Sequence, residues 1–68
     1  MIGRNVRQEI ICGVECEVES GIDTYDEYRW VAIVTTWDGE VIAVGDGAFR
    51  EDAEEDAIWD AHGELCGY

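Results

Sequence analysis

From Ile10 to Glu19 the chain alternates: Ile10, Cys12, Val14, Cys16 and Val18 take one set of positions, and Glu9, Glu15, Glu17 and Glu19 the other. Successive side chains of an extended strand point to opposite faces. The pattern therefore predicts one half-buried strand, dry on one side and lined with carboxylates on the other. Gly13 has no side chain to pack and predicts a bulge within it. A sheet with one face to cover follows from this segment alone, and the rest of the chain has to supply the cover.

Ser20 to Glu27 is polar and acidic and reads as a loop. Tyr28 to Trp37 is β-branched and aromatic, which predicts a second strand. Both its faces are apolar, Trp30, Ala32 and Val34 on one and Val31, Ile33 and Trp37 on the other, so it belongs at the centre of the sheet. Asp38-Gly39 predicts a two-residue type I′ hairpin, whose central positions both need positive φ, and Glu40 to Val44 is the third strand. Gly45-Asp46-Gly47-Ala48 breaks the strand and makes a tight connection to a helix running from Phe49 to His62 or Leu65. Phe49, Ala53, Ala57 and Ala61 recur at i, i+4 and, with Ile58 and Leu65, form a stripe able to lie on a sheet. The small alanines let the helix sit close, although Glu54 falls near the same stripe. Residues 1–68 thus predict a single α+β domain: a three-stranded antiparallel sheet with one C-terminal helix packed on one face, in the order β-β-β-α.

The composition decides what such a domain can touch. Seventeen Asp and Glu residues face four arginines and no lysine, a net charge of −13 on 68 residues. Like charges at this density repel one another and destabilise the compact state. Phosphate backbones and anionic lipid surfaces would be repelled, which excludes direct nucleic-acid binding and membrane attachment. No apolar run reaches the roughly 18 residues of a membrane span, and Met1 to Arg7 lacks the h-region of a signal peptide. A cytoplasmic protein is expected.

Three groups of acids are candidate contact residues. The first is Glu51, Asp52, Glu55 and Asp56, early in the helix. Glu51/Glu55 and Asp52/Asp56 are like-charge i, i+4 pairs that each cost roughly 0.2–0.5 kcal/mol, with no lysine interleaved to relieve them. The second is the strand row Glu15, Glu17 and Glu19, with carboxylates about 6.7 Å apart, near the spacing of every second phosphate of a DNA strand. The third is the loop set Asp23, Asp26 and Glu27. The strand row should point away from the helix.

Catalysis has little to stand on. His62 is the only histidine and Ser20 the only serine, and an acidic chain works against a reactive thiolate. No enzyme activity and no cofactor are expected. Cys12, Cys16, His62 and Cys66 together make a legitimate zinc set. On one strand, however, Cys12 and Cys16 lie about 13 Å apart, too far for a disulfide or for two thiolates on one ion. The reading is therefore three free thiols and no metal, with zinc on these four residues as the alternative that only a knuckle at Gly13 would allow. Gly45-Asp46-Gly47 lacks the third glycine and the βαβ context of a dinucleotide fingerprint.

The hairpin, Gly45-x-Gly47 and the helix with Ala53, Ala57, Ala61 and Leu65 resemble the C-terminal two-thirds of a double-stranded-RNA-binding domain, over about residues 28–65. The resemblance implies the scaffold and, in that family, lysines at the start of the last helix that bridge phosphates. Here the matching stretch is Arg50-Glu51-Asp52, followed by Glu54, Glu55 and Asp56, so the charge is inverted and RNA binding is not carried over. The helix that precedes the family's first strand has no counterpart. In size and charge the chain is similar to small phage-encoded anti-CRISPR and anti-restriction proteins. That resemblance implies a nucleic-acid mimic which occupies the binding channel of a basic nucleic-acid-binding effector in the host cytoplasm. The alternative is a homodimeric interaction module whose acidic surface only solubilises it.

Overall fold

The computed structural model describes residues 5–23 and 26–67, with the backbone alone at 26–28. Four strands, β1 (Asn5–Ile11), β2 (Val14–Asp23), β3 (Asp26–Thr36) and β4 (Val41–Gly47), precede one helix, α1 (Arg50–Cys66). The strands form a single antiparallel sheet in the order β1-β2-β3-β4. The α+β class and the C-terminal helix agree with the sequence reading. The sheet, however, has four strands rather than three.

The difference arises at Cys12-Gly13. Both residues have positive φ, 51° and 80°, the pair of conformations that a two-residue type I′ hairpin requires. Ile11 pairs directly with Val14. The stretch expected to be one bulged strand is therefore two strands folded back on each other. Downstream of the turn the alternation holds: Cys16, Val18 and Ser20 are buried under the helix, while Glu15, Glu17 and Glu19 face the other way. Upstream the faces are exchanged. Ile10 sits opposite Glu15 and is 70% exposed, while Ile11 enters the core.

The second hairpin also differs in detail. Gly39 has a φ of 90° and Asp38 does not have a positive φ. The Gly39 N–H donates to Thr36 O at 2.9 Å, and the Thr36 N–H to Glu40 O at 2.8 Å. This is the three-residue loop Trp37-Asp38-Gly39, a turn closed by a left-handed glycine. Trp37 accordingly lies at the tip, exposed, rather than on the face of β3. Residues 20–23 and 26–27, read as loop, belong to β2 and β3.

The core lies between the sheet and α1: Ile11, Cys16, Val18, Ala32, Val34 and Ala43 below, Ala53, Ala57 and Ala61 above. Trp30, Ile42, Ile58 and Leu65 pack around it. Ala32 and Val34 point to the helix, as β3's alternation predicts. Beyond Val34 the register shifts, with Val34 opposite Ala43 and Thr35 opposite Val41, so Ile42 is the extra residue. The strand does not break at Gly45 but continues through Gly47. A Cβ on Gly45 would meet the Ala57 backbone N and lie 2.6 Å from Ala53 O and 2.9 Å from Ala57 Cα. The glycine thus serves close helix–sheet packing. Phe49 is not part of the apolar stripe. It is the helix N-cap, in extended conformation and 65% exposed. The helix passes through Gly63 and ends where the Gly67 N–H donates to Gly63 O at 3.0 Å.

Candidate functional site

Apart from Glu54, the helix displays its acids outward. Glu51, Asp52, Glu55, Asp56, Asp60 and Glu64 are all exposed, and no basic residue lies in the last turn. Two further observations refine this face. The Asp46 N–H, on edge strand β4, donates to Asp56 Oδ2 at 3.3 Å, so Asp56 leans over the sheet edge and caps a backbone donor that an edge strand leaves open. At the other flank, a cavity of about 170 Å³ is lined by Asn5, Val6, Arg7, Arg50 and Glu54. Two of the four arginines, Arg7 and Arg50, line it.

Glu54 belongs to neither surface. It turns under the helix and is only 9% exposed. Ser20 Oγ donates to its Oε2 at 2.6 Å, and Arg7 Nη2 lies 3.5 Å from its Oε1. Arg7 also pairs with Glu9, 3.4 Å away. Burying an ionised carboxylate is costly unless it is paired and hydrogen-bonded, and here one hydroxyl and one guanidinium supply that. The apparent defect in the apolar stripe is a polar tie between α1, β2 and β1.

The strand row lies on the opposite side of the sheet. Glu15 and Glu17 are exposed and Glu19 is half-buried. Its neighbours across the strands are mainly apolar: Ile10 beside Glu15, Val6 and Ile33 beside Glu19, then Val44 beside Ile33. Val6, Ile10, Val41 and Val44 are each more than half exposed. Arg29 donates to Asp46 Oδ2 from Nε at 3.2 Å and Nη2 at 3.1 Å, which offsets one acid nearby. Helix acids and strand acids therefore occupy two faces, and one flat partner can engage only one of them. Asp23 ends β2, half-buried and opposite Asp26. The side chains of Asp26 and Glu27 lie outside the described residues.

The cysteines correct the sequence reading. Cys12 and Cys66, 54 positions apart, form a disulfide with Cα atoms 5.9 Å apart. The premise of three free thiols placed Cys12 in a strand, whereas it stands at a hairpin tip that reaches the last turn of α1. His62, one helical turn before Cys66, brings its Nε2 to 3.6 Å from Cys66 Sγ. The Trp59 ring lies against His62, with centroids 5.7 Å apart. Three of the four candidate zinc ligands are thus brought together, and one is not. Cys16 is buried in the core as a free thiol, and burial pushes its pKa up, which keeps it protonated and inert.

No protein-family model, curated protein or solved structure matches the chain.

Proposed function

We propose that this protein is a nucleic-acid mimic. Its acidic helix face occupies the channel of a basic nucleic-acid-binding effector, such as a CRISPR or restriction complex, and so excludes the nucleic acid. The observation that carries this reading is the unbroken file of exposed carboxylates on a rigid helix. Residues i and i+4 of a helix lie about 6 Å apart along its axis, close to the roughly 6.8 Å between alternate phosphates of a DNA strand. Glu51/Glu55 and Asp52/Asp56 form two such files; Asp60 and Glu64 continue the second, and Trp59 ends the first. Carboxylates held on a folded element cost less entropy to dock than those on a flexible tail. The activity is inhibitory binding without catalysis or cofactor, in the cytoplasm where such effectors work.

The test is capture of basic nucleic-acid-handling proteins from bacterial lysate, first at low salt and then at about 0.5 M, where the Debye length shrinks to roughly 4–5 Å. Captured effectors should elute with salt. Reversal of Glu51, Asp52, Glu55 and Asp56 to lysine should abolish capture while the far-ultraviolet dichroism stays unchanged. Reversal of Glu15, Glu17 and Glu19 should leave capture intact. Capture that survives the helix reversal sinks the assignment.

The open sheet face supports a second reading. Val6, Ile10, Val41 and Val44 on that face, with Trp37 at its end, suit a homodimeric module. A copy docked there would meet the Glu15–Glu19 row, so a dimer of this kind should strengthen with added salt, opposite to the mimic's complex.

A further inference from the structure

The cluster at the far end of the helix has a use that is independent of the acidic face. Cys12, His62 and Cys66 each offer one ligand atom, and these atoms all lie within 4.8 Å of one another. The geometry points to a zinc site: with the Cys12–Cys66 disulfide reduced, the two thiolates and His62 Nε2 bind one Zn²⁺, with water in the fourth position.

Bond lengths make the case. Zinc binds thiolate at about 2.3 Å and imidazole at about 2.0–2.1 Å in tetrahedral geometry. The edge of that tetrahedron between a sulfur and a nitrogen is then about 3.6 Å, and between two sulfurs about 3.8 Å. The observed Cys66 Sγ to His62 Nε2 distance is 3.6 Å, so one of the three ligand-to-ligand distances already has metal-site spacing. The two sulfurs have to part by roughly 1.7 Å from a bonded 2.05 Å. Rotation of the side chains over the 5.9 Å Cα separation supplies this without moving the backbone.

The local fold favours the same assignment. His62 and Cys66 sit at i, i+4, on one face of the helix. Cys12 takes a left-handed conformation that costs a non-glycine residue about 1–2 kcal/mol, where asparagine would fit with less strain. A thiol at that position is what the turn gains in exchange. Cys12 is exposed and the other two are half-buried, which leaves one side open for water. Two sulfurs and an imidazole select zinc over the hard cations that a carboxylate surface attracts.

Disulfide and zinc site exclude each other, because both use the same two sulfurs. A cellular dithiol gives two electrons and two protons to the disulfide and becomes a disulfide itself. Zinc then replaces the two thiol protons, which pass to solvent. In a reducing cytoplasm, where disulfides rarely persist, the zinc form would take over the task of tying the β1–β2 turn to the end of α1.

The experiment uses the full chain, reduced by a phosphine without oxygen, and titrates it with Co²⁺ and then Zn²⁺. The phosphine reduces the disulfide with water as oxygen donor and does not compete as a dithiol would. The reduced chain should take up one equivalent of Co²⁺, with thiolate-to-cobalt charge transfer and tetrahedral visible bands that Zn²⁺ abolishes. The oxidised chain should show neither. His62→Ala keeps both sulfurs and should weaken binding by more than the roughly 10–100-fold lost with a mere outer-shell partner. The double variant Cys12→Ser, Cys66→Ser should lose the charge-transfer band, and Cys16→Ala should keep it. The proposal is overturned if the reduced chain shows no such band at one equivalent. It is equally overturned if the double serine variant binds as tightly, which would assign the metal to surface carboxylates, or if Cys16→Ala abolishes the band in a folded protein.

Discussion

A methyl group at Gly45 has nowhere to go, because the atoms it would strike are the backbone of Ala53 and Ala57. No rotamer change relieves a backbone contact. Gly45→Ala should therefore cost about 1–3 kcal/mol, the range for overpacking a filled interior, read as a lower urea midpoint at unchanged m-value. Gly13→Ala meets no neighbour and strains only the turn. Glu54 teaches a complementary lesson. Periodicity placed it near the dry stripe and offered no reason for it. The reason is Ser20, 34 positions earlier, which no local pattern could have paired with it.

At the scale of elements, the loop between β3 and β4 carries its own titratable contact. Thr36 Oγ–H donates to the Asp38 carboxylate, and this hydrogen bond is the first cause that holds Asp38 below its ordinary pKa, ahead of a weaker opposing effect of desolvation. The folded state binds its proton less readily than the unfolded chain does. Asp38 thus adds stability above the unfolded pKa of about 3.9 and loses it as pH falls through the lower folded value. Asp38→Asn keeps a hydrogen-bond acceptor without the charge. The stability difference between wild type and this variant should be constant above about pH 5 and shrink towards acid, followed by urea unfolding at successive pH values. A difference that grows below pH 4 would contradict this role. The same hairpin was legible in outline, since Asp38-Gly39 announced a turn. Its three-residue form was not, because the choice rests on how β4 registers against β3, with Ile42 bulged.

Across the whole molecule, the disulfide ties a hairpin tip near the start to the last helical turn, over 54 positions. A chain this small buries only about 60% of the surface its unfolded form exposes, so a covalent tie matters. Chain-entropy arguments assign a loop of that length about 4 kcal/mol, in a measured range of roughly 0–5. Reduction in the presence of a metal chelator should therefore lower the urea midpoint markedly, and Cys16→Ala should leave that reduction-dependent drop in place. No change on reduction would show that burial and hydrogen bonding alone hold α1 to the sheet. The charge of −13 acts at this scale too. Acids on both the helix side and the strand side oblige a partner to choose a face, and the two readings of function differ in which face it chooses.

Alternation in Val14–Glu19 and the alanine stripe of α1 were decided by sequence alone, because a period of two or of 3.6 sorts side chains onto faces wherever the segment lies. The acidic exterior followed equally from composition. Tertiary structure alone decided that Cys12-Gly13 is a turn rather than a bulge, since the choice rests on what Ile10 and Ile11 find to pair with. It alone brought Cys12 to His62 and Cys66, because the meeting of two chain ends is set by how the sheet and helix close on each other and leaves no trace in local spacing.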